Sequence, residues 1–228
     1  MSPLGSPRVH LRLVGSTNER ARELAARGAP HGTLVTAAEQ SAGQGRQGRT
    51  WTAAPGRALL CSLVIRDPPR LLPLAAGAAV ADVAEVTGDG VLIKWPNDVL
   101  IGGRKVAGIL VEGRPQEHWA VLGIGLNVAL RREDLPPELR ETGGTLGLAT
   151  EAIEPTLARL LERLEHWVEA GDEAVLDAVR ARDALRGRTV RWSGGEGQGA
   201  GIDEAGRLVV VGAGGRVALE AGEVHLVR

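Results

Sequence analysis

Residues 8–14, R-V-H-L-R-L-V, alternate apolar and polar side chains with the period of a strand. Gly15 ends that run. Ser16-Thr17-Asn18-Glu19 then opens a helix that puts Ala21, Leu24 and Ala25 on one face and stops at Gly28. Ser16 and Glu19 have the spacing of a capping box. Residues 33–39 predict a second strand and residues 58–66, A-L-L-C-S-L-V-I-R, a buried third. Residues 71–87 are rich in Ala, Leu and Val, with no breaker after Pro73, and predict a buried helix. A strand over 90–95 runs into the turn Pro96-Asn97-Asp98, another covers 105–112, and Gly102-Gly103 between them predicts a hairpin of these two. Residues 117–128 read as a further strand, in which Gly123 and Gly125 admit a ligand or a second backbone.

Residues 131–150 are polar and contain prolines and the run Gly143-Gly144-Thr145. They predict a loop with one helical turn, of a length often found in lids. An amphipathic helix follows over 155–170, begun by Pro155 and ended by Gly171, with Leu157, Leu160, Leu161, Leu164 and Val168 on one face. Asp172 caps a second helix through Leu185. From Arg186 onward, short Val-rich runs at 189–192, 207–211, 216–219 and 223–227 alternate with Gly-rich turns, which predicts a small antiparallel barrel.

Composition adds bounds. A chain of 228 residues, 43% hydrophobic and 24% charged, is a soluble globular protein of one large domain or one domain with an appendage. Its net charge of −1 gives no global pull toward nucleic acid or an acidic membrane. The single cysteine, Cys61, excludes an internal disulfide and a Cys-rich zinc site, and suits a reducing compartment. No apolar run is long enough to span a bilayer, and the N-terminus lacks a signal-peptide core. Only two of the 27 basic residues are lysines, Lys94 and Lys105. Against an arginine bias set by genome composition, they mark places where a compact ammonium is wanted instead of a planar fork. Phe and Tyr are absent, so Trp51 and Trp95 are the aromatics inside the motif stretches, either as ligand surfaces or as core.

The stretch Gly43–Trp51, G-Q-G-R-Q-G-R-T-W, concentrates the chemistry. Glycine backbone, the guanidinium groups of Arg46 and Arg49, and the indole of Trp51 supply N–H donors, fixed charge and a stacking face. That set suits a phosphate-linked base; the alternative is a solvated surface loop. Gly43, Gly45 and Gly48 match G-x-G-x-x-G, but Thr52-Ala53-Ala54-Pro55-Gly56 follows as a turn where a dinucleotide fold requires a helix. Asp67 near the expected acidic position does not repair that. Ser16, Thr17 and Asn18 at a strand–helix junction either bind a neutral polar ligand such as a urea or serve as caps. Lys94 and Lys105 can reach one mouth of the sheet. Asn97-Asp98 suits plain turn chemistry, and Asn127 either meets an adenine edge or caps a strand.

In this order and spacing, S-T-N, E-Q-S-A-G-Q-G-R-Q-G-R-T-W, K-W-P-N-D-V, K-V-A-G-I-L-V-E and G-I-G-L-N-V resemble the biotin protein ligases, over essentially residues 9–228. The resemblance implies an α+β fold: a mixed β-sheet with flanking helices, the class II synthetase-like catalytic domain of biotin and lipoate ligases, over 1–185. A small C-terminal SH3-like β-barrel follows over 186–228. With no room before residue 8 for the winged-helix DNA-binding domain of some relatives, the monofunctional form is expected. The implied chemistry is activation of biotin by ATP, with Mg²⁺, to biotinyl-5′-AMP, and transfer to a lysine of a biotin carboxyl carrier protein. By the resemblance, Lys105, Arg46 and Arg49 are catalytic. Ser16, Thr17, Asn18, Gln40, Gln44 and Gly45, with Arg46 and Lys105, bind biotin. Arg49, Trp51, Lys94, Asn97, Asp98 and Asn127 bind ATP. A cytoplasmic enzyme is implied, without DNA or membrane partners, as a monomer or a homodimer. Gln44 stands where such loops usually carry an arginine, which implies a looser hold on the adenylate; Ser41 in place of the commoner threonine is a mild change. The rivals are a lipoate-type ligase of the same catalytic architecture, against which the arginine-rich loop and K-W-P-N-D favour biotin, a nucleic-acid module built on the Arg-rich loop and the small barrel, and a protein that binds biotin without consuming ATP.

Overall fold

The structure, a computed structural model, describes residues 3–88, 90–220, 222 and 224–227. The elements are β1 (Arg8–Leu11), α1 (Thr17–Ala26), β2 (Leu34–Ala37), β3 (Ala58–Arg66), α2 (Leu72–Ala84), β4 (Val91–Lys94), β5 (Asp98–Ile101), β6 (Arg104–Arg114) and β7 (Trp119–Asn127). They continue with α3 (Ile153–Glu169), α4 (Asp172–Ala181), β8 (Thr189–Trp192), β9 (Gly195–Ile202), β10 (Leu208–Gly212), β11 (Gly215–Leu219) and β12 (His225–Leu226). Seven strands form one sheet in the order β1-β2-β3-β7-β6-β5-β4. It is mixed because β1 and β2 run parallel while every other neighbouring pair is antiparallel.

The two faces of the sheet have different covers. On one face lies α2, apolar but for Asp82 and almost wholly buried, with α3 packed beside it. Leu160 and Leu164 of α3 and Leu63, Leu122 and Leu126 of the sheet are fully buried in one cluster. Each such side chain contributes about 1.5–3 kcal/mol by leaving water. Val175 and Val179 of α4, Val190, Leu208 and Val210 join the same cluster, so the apolar core runs on into the C-terminal segment. On the other face, α1 seats Ala21 and Ala25 on Val35, Val64, Trp119 and Val121. It covers only half of that face, and the other half is open.

Several expected elements change. The predicted hairpin of 90–95 with 105–112 is in fact two hairpins. Residues 98–101 form the separate strand β5, paired with β4 on one side and β6 on the other, and Gly102-Gly103 joins β5 to β6. Both glycines have positive φ, as a tight two-residue turn requires. Ser16 occupies the N-cap position of α1 but makes no side-chain capping bond, so the capping box does not form. Asp172 is the first helical residue of α4, after Gly171 at the cap, and its carboxylate takes Arg70 at 2.6 Å. That helix stops at Ala181, short of Leu185, and β1 stops at Leu11, short of Val14. The C-terminal strands form a five-stranded antiparallel sheet in the order β11-β10-β9-β8-β12. It includes β9, which the pattern did not show, and among the described residues no pairing closes β11 onto β12 into a barrel. Glu223, at the start of the last predicted strand, lies outside the described residues.

Candidate active site

The open half of the sheet is the floor of a cavity of ≈ 440 Å³. Along β7 the residues on this face are Trp119 and Val121 under α1, then Gly123, Gly125 and Asn127 on the floor. The glycines are needed because side chains from other segments lie directly on the backbone. A Cβ on Gly123 would stand 2.0 Å from Asn18 Oδ1, and one on Gly125 2.4 Å from Trp51 Cε2. On β6 the pairing slips between Val99 and Leu100 of β5, so Lys105 is opposite Leu100 and Ala107 opposite Val99. Val106 is the extra residue. This bulge buries Val106 and Ala107 in the core while Lys105 and Gly108 both face the cavity, which regular alternation forbids.

At one end, buried polar groups are tied together. The Thr17 N–H and hydroxyl both donate to Gln40 Oε1, at 2.7 and 3.0 Å. The Ser62 hydroxyl lies 2.8 Å from Thr17 Oγ1 and 2.6 Å from Asn18 Oδ1, with one proton to share. Asn18 Nδ2 donates to Glu112 at 2.7 Å. Ser16, Thr17 and Asn18 are at most 4% exposed, yet all three line the cavity. Their mutual bonds hold these polar groups in place at the cavity wall, where a polar ligand can meet what valence they leave over.

The other end is cationic. The Gly43–Trp51 loop is a tight hairpin: Gly45 N donates to Arg49 O at 2.7 Å, and Trp51 N to Gly43 O at 2.9 Å. A Cβ on Gly43 would be 2.4 Å from Trp51 O. The hairpin turns through a single 3-10 turn, Arg46–Gly48, so no helix N-terminus is offered to a phosphate. Side chains supply the charge instead. Arg46 donates to Asn97 Oδ1 at 3.2 Å, and Asn97 Nδ2 donates to Ile109 O at 3.1 Å, which anchors the turn to β6. Lys105 Nζ pairs with Asp98 at 2.7 Å and stands 5.5 Å from the centre of the Trp51 ring. Among the described residues, four cations, Arg46, Arg49, Lys94 and Lys105, line one cavity with a single carboxylate, Asp98. Both lysines of the chain are among them.

Every residue that the resemblance assigns to biotin or ATP lines this cavity. Asp67 does not; it pairs with His118 at 3.4 Å. Trp95 is core, 3% exposed, with its N–H donated to Gly206 O at 3.0 Å. Asn127 does two things. Its Nδ2 donates to Gly144 O at 2.8 Å, and its buried Oδ1 has no partner, which leaves an acceptor at the wall. Residues the sequence did not suggest also line the cavity. Leu135, Leu139, Thr142 and Gly143 come from the 131–150 segment, which bonds to β6 through Lys105 N to Thr142 O and Gly144 N to Lys105 O, at 2.7 and 2.8 Å. His225 and Leu226 come from β12, so the second sheet forms part of the wall. The sequence marked the first group only as a polar loop of lid length carrying Gly143-Gly144. A Cβ on Gly143 would meet Leu135 at 2.7 Å.

Cys61 also borders the cavity but is 1% exposed, and burial pushes its thiol up to about 12. A protonated, buried thiol is no nucleophile. Disulfide reagents at neutral pH are expected to label it only as fast as the chain unfolds; stoichiometric labelling of the native protein within seconds would contradict this burial.

Residues 11–128 match the biotin/lipoate A/B protein ligase family, more than half of the chain. The chain belongs to this family. Within it, the biotin–acetyl-CoA-carboxylase ligase of Mycobacterium tuberculosis is 37% identical over 234 residues, covering 93% of this chain and 86% of that protein. The bifunctional ligase/repressor BirA of Bacillus subtilis is 39% identical over 155 residues, covering 64% of this chain. The chain spans 48% of the length of that relative. The biotin protein ligase from Aquifex aeolicus, solved in complex with biotin and ATP, has TM-score 0.83 and 27% identity, covering 98% of this chain and 99% of its own. The family includes ligases for biotin and for lipoate. Which acid this cavity takes turns on its polar end.

Proposed function

We propose that the chain is a biotin protein ligase. It activates biotin with ATP to biotinyl-5′-AMP and pyrophosphate, then acylates a lysine of a biotin carboxyl carrier protein. The observation that carries this is the meeting, in one cavity, of a buried neutral polar end and four cations. A cyclic urea has both N–H donors and a carbonyl acceptor for Ser16, Thr17, Asn18 and Gln40. The dithiolane of lipoate has neither and would leave the spare lone pair of Asn18 Oδ1 and the Gln40 Nε2 hydrogens unmatched, a loss of the kind that rejects an analogue.

In the first step a carboxylate oxygen of biotin attacks the α-phosphorus, the bond to the β-phosphate oxygen breaks, and pyrophosphate leaves. Two anions must approach, and charge builds on the phosphoryl oxygens. Lys105 and Arg46 meet that charge from β6 and the glycine loop, with Arg49 and Lys94 toward the phosphates. Asp98 holds Lys105 in place until the ligand's anions replace it. Trp51, lying on Gly125, offers its face to adenine, and Asn127 Oδ1 accepts from the adenine amino group. In the second step the carrier's lysine nitrogen attacks the acyl carbon, AMP leaves, and the nitrogen loses a proton.

Among the described residues no group of three His, Cys, Asp or Glu could cage a metal. Of the residues lining the cavity Asp98 is the carboxylate that would hold a Mg²⁺ brought in with the nucleotide, and a cation there would supply further positive charge for the phosphates.

Within this proposal, residues 1–185 are the catalytic unit and 186–228 an SH3-like unit whose last strand closes one wall. No helix among the described residues is long and apolar enough to cross a membrane. We place the enzyme in the cytoplasm with its carrier, without a DNA partner. Gln44, across from Thr50 in the hairpin, supplies no charge where relatives are expected to have arginine. Gln44→Arg is therefore expected to slow dissociation of biotinyl-5′-AMP while leaving biotin affinity unchanged; equal dissociation rates would remove the role given to this position.

The test of function is exchange of labelled pyrophosphate into ATP by the purified protein. Exchange that needs biotin and is not supported by lipoate is expected. Exchange with lipoate alone would reassign the acid.

A further inference from the structure

We infer that Glu112, which does not line the cavity, is a positioning residue that sets which way round the amide of Asn18 sits and thereby lets it read a ureido N–H. The inference rests on the biotin reading above.

Asn18 is 4% exposed, and its amide has two chemically different sides. Nδ2 lies 2.7 Å from Glu112 Oε2 and 3.5 Å from Leu110 O. Oδ1 lies 2.6 Å from the Ser62 hydroxyl. A carboxylate only accepts hydrogen bonds, so the NH₂ must face Glu112 and the oxygen must face Ser62 and Gly123. Ser62 alone cannot fix this, because a hydroxyl can donate or accept. Glu112 is aimed in turn by Arg22, whose NH1 reaches Oε1 at 3.0 Å. The Asn18 NH₂ is thus turned toward Glu112, and the amide oxygen retains a lone pair beside the Gly123 floor. Gln40 is fixed in the opposite sense: its oxygen is occupied by Thr17, which leaves Nε2 to donate. One acceptor and one donor, set by residues behind them, complement a urea. Without Glu112, a flipped Asn18 turns N–H toward the ligand's N–H.

The test compares Glu112→Met, which keeps length and removes the acceptor, with Glu112→Gln, which keeps an acceptor oxygen. Biotin and ATP affinities are measured separately by calorimetry on the full chain. Glu112→Met is expected to weaken biotin about tenfold or more, with ATP affinity within about twofold of wild type; Glu112→Gln is expected to stay within about threefold for biotin. In an Asn18→Ala background, Glu112→Met should cost nothing further. If Glu112→Met does not fold, Arg22→Met takes its place in the same cycle, with the same expected loss of biotin and none in the Asn18→Ala background. Biotin binding by the Met variant equal to wild type, an undiminished loss in the Asn18→Ala background, or a Gln variant as weak as the Met variant would each overturn the inference while leaving the ligase reading intact. Wild type that binds no biotin would overturn both.

Discussion

Lys105→Ala is expected to lower biotin-dependent ATP–pyrophosphate exchange by about a hundredfold or more, the scale set by removing one preorganised electrostatic contact from a reacting centre. Lys105 is aimed by the bulge at Val106, paired with Asp98 at 2.7 Å and set near the Trp51 ring. Among the described side chains, no other cation lining the cavity comes from β6. The fold should survive the change. The backbone bonds of Lys105 to Thr142 and Gly144 do not depend on its side chain, and the core side of this strand is held by Val106, Ala107 and Ile109. The expected result is therefore lost exchange with a thermal midpoint close to wild type. Exchange at near wild-type rate would show that Lys105 does not touch the reacting groups. Lys105→Arg should recover little, because a planar fork does not replace a compact ammonium in this space.

Gly123→Ala is expected to weaken biotin by about tenfold or more while nucleotide affinity stays near wild type. The new Cβ would lie 2.0 Å from Asn18 Oδ1. Asn18 cannot easily give way, because Ser62 and Glu112 hold it from both sides at 2.6 and 2.7 Å. The displaced amide would break the buried network that faces the acid's ring. Trp51 and Asn127, farther along the floor, are left in place, which is why the nucleotide should bind as before. A variant whose nucleotide affinity fell as far as its biotin affinity would instead mean that the whole sheet had shifted.

The site was more legible in the sequence than the fold around it. The hairpin Gly43–Trp51 announced itself by its residue types: three glycines, two arginines and one indole within nine residues. The two lysines stood out against an arginine background, and both line the cavity. The strands that escaped notice lack a local signal. β5 begins in the turn run Asn97-Asp98 and has only four residues, and its pairing on both sides is a tertiary fact. β9, G-E-G-Q-G-A-G-I, has almost no apolar alternation; its neighbours β8 and β10 make it a strand. Ser62 gave one faint hint, a hydroxyl in an otherwise apolar strand, but its partners are 44 and 45 residues away. The contributions of Leu135, Leu139 and His225 to the wall depend wholly on how distant segments close over the sheet. The capping box at Ser16 failed for a related reason: Ser16 is 1% exposed, caps no N–H of α1 and lines the cavity.

A crystal structure with biotin and a non-hydrolysable ATP analogue bound together bears most directly on the proposed chemistry. The expected result is a biotin carboxylate oxygen about 3–3.5 Å from the α-phosphorus, in line for attack, with Lys105 moved from Asp98 onto these groups and the ureido ring against Asn18 and Gln40. Biotin and nucleotide in separate places, or Lys105 still paired with Asp98 while both are bound, would contradict it.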